Sequence, residues 1–214
     1  MPQTFSKDGL IRFGDQVMLL NKQTNGFLVI DMGDKITSQD EAYGVTTTAK
    51  DLGPCARSVF GFERVDQKDG FGDDLVHFGQ KIRLVANPYI YNKKLYLHSS
   101  QISPLSYARF SRNQEVSLLC NKAIHNTVWE IVNLNPNLRE STFGDLVNAN
   151  SPILIKHVAT QKSLASDNID YRNDFGTEQE VCCHNYSTQN KSQNLALEHK
   201  GQITGTASTK FSHD

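Results

Sequence analysis

Short runs with an apolar residue at every second position recur along this chain in groups, and the group comes three times. The first run holds Val17 and Leu19 after Phe13-Gly14-Asp15. The next holds Ile82 and Leu84 after Phe78-Gly79-Gln80, and the last Ile153 and Ile155 after Asn150-Ser151-Pro152. Period two with β-branched residues matches a strand that buries one face, because alternate side chains point to opposite sides of a sheet. In each group a second strand follows, carrying Leu28, Leu97 or Leu164. A third is announced in two groups by Gln114-Glu115-Val116 and Gln179-Glu180-Val181. Each group closes on an apolar pair: Phe60 and Phe62, Trp129 and Ile131, Leu195 and Leu197. The spacing is regular: 65 residues separate Val17 from Ile82 and 71 separate Ile82 from Ile153. Asn25-Gly26 supplies a tight hairpin turn between the first two strands. No twelve-residue window shows the i, i+3, i+4, i+7 spacing of an amphipathic helix. The chain is read as all-β.

Units of this length exceed the roughly 20–50 residues of solenoid repeats. Each has one apolar face per strand and must bury it against the other two, and closure also removes the exposed edges of an open array. The expected architecture is therefore a single barrel of three four-stranded repeats, at about 10–66, 75–134 and 146–200. A short segment, 1–9, precedes it, and an extended C-terminal tail, 201–214, follows. The core is expected around Val17, Leu28, Ile82, Leu97, Trp129, Ile153 and Leu164. A chain of 214 residues has length enough for one such core without disulfides or a structural metal.

Charge excludes some functions. With 22 basic and 23 acidic side chains there is no electrostatic footprint for nucleic acid. No apolar run approaches the about 18 residues of a membrane-spanning helix. The polar N-terminus is not expected to be a secretory signal. Cys55, Cys120, Cys182 and Cys183 suit neither a disulfide framework nor a C-x-x-C metal pair. All four are expected as reduced thiols, with at most one of the adjacent pair Cys182 and Cys183 buried. The sequons at Asn185 and Asn190 are expected to be plain polar loop.

Catalytic signatures are missing from the sequence: it has no phosphate-binding loop, no G-x-S-x-G turn and no H-E-x-x-H. Cys183 and His184 with His157 make at most three soft ligands, a poor zinc site. Asp167, Asp170 and Asp174 lack the spacing of a calcium loop and read as a solvated acidic stretch. Glu115 and Glu180 occupy matching repeat positions and are expected on separate lobes. No cofactor is expected, and no enzymatic activity. Residues that contact partners are sought instead among Tyr89, Tyr91, Lys93 and Lys94 on a hairpin, and Arg109 and Arg112 before the third strand of the second repeat. Lys210 and Phe211 in the tail complete the set.

The openings Phe13-Gly14-Asp15-Gln16-Val17 and Phe78-Gly79-Gln80-Lys81-Ile82, with Lys94-Leu95-Tyr96-Leu97-His98-Ser99, resemble those of the MIR-type β-trefoil. The third repeat departs from the pattern, with Asn150 in place of the glycine. Asp8 to Val17, Phe78-Gly79-Gln80, Lys94 to Leu97 and Asp174-Phe175-Gly176-Thr177-Glu178-Gln179-Glu180-Val181 are, in that order, similar to the cilia- and flagella-associated protein 161 family. The similarity runs from about Asp8 to His199. It implies a structural protein of the ciliary or flagellar axoneme, held in the lumen of the doublet microtubule against tubulin and other microtubule inner proteins, away from membranes and nucleic acid. A MIR- or lectin-like module binding a carbohydrate or small ligand is the alternative that the same fold implies.

Overall fold

The computed structural model describes residues 4, 6–36, 41–49, 53–66, 70–185 and 203–205. Its strands are β1 (Gln16–Val17), β2 (Leu19–Asn21), β3 (Gly26–Lys35), β4 (Ala42–Ala49), β5 (Phe60–Arg64), β6 (Lys81–Ala86) and β7 (Leu95–Ser99). They continue with β8 (Gln114–Cys120), β9 (Trp129–Asn133), β10 (Ile153–His157), β11 (Ser163–Asn173), β12 (Gly176–His184) and β13 (Ile203–Gly205). Only two 3₁₀ turns, His125–Thr127 and Pro136–Leu138, interrupt this all-β pattern among the described residues.

The sheet closes on itself. An unbroken antiparallel circuit of eight strands runs β6–β9–β10–β11–β12–β4–β8–β7 and returns to β6. At one end β4, β8 and β12 pair with one another in all three combinations. At the other end three backbone hydrogen bonds form a ring. Val76 N donates to Ile11 O at 2.9 Å, Val147 N to Val76 O at 2.9 Å, and Ile11 N to Val147 O at 3.3 Å. The steps from Ile11 to Val76 to Val147 are the 65 and 71 residues already seen between the first strands. All three side chains are buried, so this ring has little access to competing water.

The same steps recur in the turns. Gly14 and Gly79 have φ of +91° and +83°, and Asn150, at the third position, has +65°. Asparagine is one of the few residues other than glycine that enters the left-handed region at modest cost, so the departure in sequence leaves the turn intact. The strand junctions match as well. Phe60 pairs with Ala86 and Trp129 with His157, while Ile203 pairs with Asn21. β13 thus lies inside the stretch expected to be a tail and takes, against β2, the place that β5 takes against β6. Leu195 and Leu197, the expected closing pair, lie outside the described residues.

Val17, Leu28, Ile82, Leu97, Trp129, Ile153 and Leu164 are all buried in one cluster. Trp129, the largest of them, donates its indole N–H to Leu97 O at 2.8 Å, which satisfies its polar atom inside the core. The cysteines are free thiols, but Cys182 and Cys183 are both buried, against the expectation of one. Alternation does send them to opposite faces. The loop before β8 reaches that second face, where Asn113 Nδ2 comes within 3.6 Å of Cys182 Sγ, so it is covered too. Burial raises the Cys182 thiol to about 11 and the Cys183 thiol to about 12, which keeps both protonated at neutral pH.

Candidate interaction groove

The hairpin loop between β6 and β7 is shaped by Asn87. Its side-chain oxygen accepts from Tyr89 N at 3.0 Å and its carbonyl from Ile90 N at 3.0 Å. This Asx turn, with Pro88 fixing φ beside it, projects Tyr89 into solvent at 69% exposure and folds Tyr91 back against Tyr43, with ring centroids 5.6 Å apart. The hydrogen bond with Tyr91, then burial, pushes the Tyr43 hydroxyl up to about 12. Lys93 Nζ bonds Glu41 at 2.9 Å and Lys94 Nζ bonds Glu63 at 2.7 Å. The two lysines sit where the sequence places them, each tied to a carboxylate of a neighbouring strand or loop.

Tyr91, Lys93 and Lys94 border a groove of about 470 Å³. Its apolar wall comes from Phe13, Phe62, Val85, Ala86 and Pro88; Arg64 and Glu63 complete the rim. The Arg64 guanidinium lies 4.4 Å from the centroid of the Phe13 ring and donates to the carbonyls of Phe71 and Asp73. The result is an apolar trough rimmed by three cations and one carboxylate.

Arg109 and Arg112 are not part of this groove. Arg109 donates to Asp34 at 3.0 Å and to the Tyr171 hydroxyl at 3.2 Å. Arg112, at φ +60°, lays its guanidinium 4.6 Å from the centroid of Tyr107. Both arginines therefore order their own loop. That loop is also clamped by Glu180, which accepts from Phe110 N at 2.8 Å and Ser111 N at 2.9 Å. Glu115 lines the same crevice as Glu180, because β8 and β12, which carry them, pair directly. Lys210 and Phe211 lie outside the described residues.

Two buried polar clusters escaped the sequence reading. Glu178, 1% exposed, accepts from Thr46 Oγ1 at 2.5 Å, from Asn173 Nδ2 at 2.7 Å and from Arg57 at 2.9 and 3.1 Å. Burial opposes its ionisation, but these donors and the Arg57 charge prevail and hold the carboxyl below its ordinary range. The Arg57 guanidinium in turn lies 3.5 Å from the centroid of Phe175. The second cluster joins Gln114, Ser99, His157 and Thr160 between β7, β8 and β10, while His98 on β7 bonds Ser117 on β8. His157 uses both ring nitrogens, against Thr160 Oγ1 at 2.9 Å and Asn126 O at 3.1 Å. Its interactions are therefore structural. Among the described residues no three His, Cys, Asp or Glu side chains group as metal ligands. Asp170 is placed in β11 opposite Gln179.

Residues 4–196 match the model of the cilia- and flagella-associated protein 161-like domain. Cilia- and flagella-associated protein 161 of Mus musculus is 29% identical over 207 residues, covering 89% of this chain and 68% of the relative. That of Bos taurus is 29% identical over 201 residues, covering 87% and 62%. The chain therefore spans about two thirds of the length of these relatives. Among solved structures, the SDF2-like protein of Arabidopsis thaliana superposes with a TM-score of 0.65 at 20% identity, covering 84% of this chain and 90% of that one. At such identity the likeness speaks for the fold.

Proposed function

We propose that this chain, which belongs to the cilia- and flagella-associated protein 161-like family, is a non-catalytic structural component of the axoneme. In this reading it lies in the A-tubule lumen of doublet microtubules, where it touches tubulin and neighbouring inner proteins and needs no cofactor. The observation that carries the reading is the family match over residues 4–196. The recurring backbone ring, turns and strand junctions support describing the barrel as a MIR-like β-trefoil of three repeats. A closed barrel offers a stiff body whose loops make many modest contacts, and a repeating lattice adds them into a firm hold without any single strong one. The burial of the cysteines in β8 and β12 and the internal pairing of Arg57 and Glu178 leave such a body with packing and surface shape as its working features.

Fractionation of cilia tests the placement. The protein should stay with the doublets through a mild salt wash and leave them only when the doublets are broken open. Release by mild salt would place it on the outside and refute the luminal reading. The alternative, a MIR- or lectin-like module for a carbohydrate or small ligand, draws on the likeness of fold to the SDF2-like protein. A lectin of this build would repeat one polar pocket in each lobe. Here Gly61, Glu63 and Arg64 of the first groove stand where Glu130, Val132 and Asn133 stand in the second, so the lining chemistry is not repeated. A specific sugar ligand in a glycan array would reverse this preference.

A further inference from the structure

The turn 22–25, which joins β2 to β3, is ordered through its middle and not through its last residue. Asn21 Oδ1 accepts from Thr24 N at 2.8 Å and from Thr24 Oγ1 at 3.1 Å, and Thr24 Oγ1 lies 3.4 Å from Thr47 Oγ1. Asn25 takes no part in these bonds. It is exposed, and no described residue bonds its side-chain amide.

Two separate demands fix the residues here. Asn25 has φ +53°, a conformation that glycine, asparagine and aspartate adopt at modest cost. Gly26 is buried, and a Cβ on it would collide with the Thr48 carbonyl oxygen, which leaves room for glycine alone. The fold thus imposes a dipeptide in which a side-chain amide stands next to the backbone nitrogen with the least steric cover. The other asparagines at positive φ, Asn121 and Asn150, precede Lys122 and Ser151, whose side chains hinder approach to their own backbone nitrogens.

We infer that Asn25 is a site of spontaneous deamidation, a covalent change that the folded chain undergoes in water alone. The Gly26 nitrogen attacks Asn25 Cγ and gives up its proton, ammonia leaves, and a succinimide ring closes. One water then opens the ring. Attack at one carbonyl gives an ordinary aspartate at position 25; attack at the other gives isoaspartate, whose main chain runs through the former side-chain carbon. The aspartate product keeps the backbone and tolerates its φ. Isoaspartate inserts a methylene directly before Gly26, where the Thr48 carbonyl leaves no space for displacement, and β3 carries Leu28 and Ile30 into the core just beyond. The isoaspartate form is therefore the less stable one. The seat of Gly26 against β4 also slows the reaction, because the turn must open locally before the nitrogen can attack. The inference rests on this turn and not on the ciliary placement, so either can fail alone.

The test incubates the full chain for weeks in mildly alkaline buffer at body temperature, beside a sample unfolded in urea. Peptide mapping of the native sample should find the gain of about 1 Da first on the peptide that carries Asn25, about tenfold or more ahead of those carrying Asn121 and Asn150. Labelled methyl should pass in step from S-adenosylmethionine to the new isoaspartyl carboxylate when an isoaspartyl methyltransferase is added. The unfolded sample should react faster than the native one, and the isoaspartate fraction of the native sample should unfold at lower urea than fresh protein. Asn25→Gly keeps the positive φ and removes the amide, so N25G should fold normally and lose both the mass change and the methyl uptake. Reaction in the urea sample alone, an earlier change at another asparagine, or undiminished methyl uptake by N25G would overturn the inference.

Discussion

Acid should loosen this protein well before its carboxylates titrate, because of His98. The ring is 3% exposed, with Nδ1 3.2 Å from Ser117 Oγ. Burial, then the neighbouring His157 ring and Lys122, lower it from 6.5 to about 4. The unfolded chain binds the proton first as pH falls, so the native state loses stability from about pH 6.5 downward, and the loss levels off below about 4. With those two values, bringing the solution from about pH 7.5 to about pH 5 removes about 2 kcal/mol through this one group. His157, lowered by its own burial, acts in the same direction. In urea denaturation followed by Trp129 fluorescence, a loss of about 2 kcal/mol appears as a drop of about 1 M in midpoint.

His98→Asn supplies the control. It keeps a polar group near Ser117 and cannot take up a proton, so its midpoint should fall by clearly less over the same pH interval. An equal fall in H98N, or no fall in the wild-type chain, would refute the claim that buried neutral histidine sets the acid limit. Glu178, held below its ordinary range, contributes stability that is lost only at more acidic pH, so it does not blur the comparison.

Three other perturbations have outcomes set by packing. Trp129→Phe leaves Leu97 O without its indole donor and shrinks a fully buried side chain; the urea midpoint should report a cost of about 2 kcal/mol. Arg57→Met strips Glu178 of its counter-charge and should cost about 3 kcal/mol, part of which returns when Glu178→Met is added; a double mutant weaker than the single would contradict the pairing argument. Asn150→Val forces a β-branched residue to φ +65° and should cost about 1–3 kcal/mol in thermal or urea melts, while Asn150→Gly should be close to neutral.

The strands and their grouping were legible because burying one face of a sheet imposes period two, and the spacings of Val17, Ile82 and Ile153 carry over unchanged to the Ile11, Val76 and Val147 ring. Asn150 was legible as a departure, and its tolerance of positive φ explains why the departure is harmless. The Arg57–Glu178 pair was not legible, since its members are 121 residues apart and nothing local marks a strand glutamate as buried. Nor did the sequence indicate that Arg109 is already engaged by Asp34 and Tyr171, a fact that makes Arg109→Glu a poor probe of partner contact. Its carboxylate would face Asp34 and disturb the loop itself. β13 escaped notice because Ile203-Thr204-Gly205 is too short to show alternation; its register against β2 is what identifies it.

The positions that recur at the 65- and 71-residue steps and those that do not differ in what they contribute to the chain. Ile11, Val76 and Val147 recur at steps of 65 and 71 residues and close a ring that needs three donors and three acceptors, and the positive-φ turns at Gly14, Gly79 and Asn150 recur at the same steps. A change at one member of the ring must be compatible with the other two. Surface positions escape that constraint: Phe143 lies against Gly79, while the first linker has Gly72 at the matching offset from Asp74. The loop at Tyr89 to Lys94 and the turn at Gly14 border one groove, and its lining differs from that of the groove beside Gly79, where Glu130, Val132 and Phe143 stand.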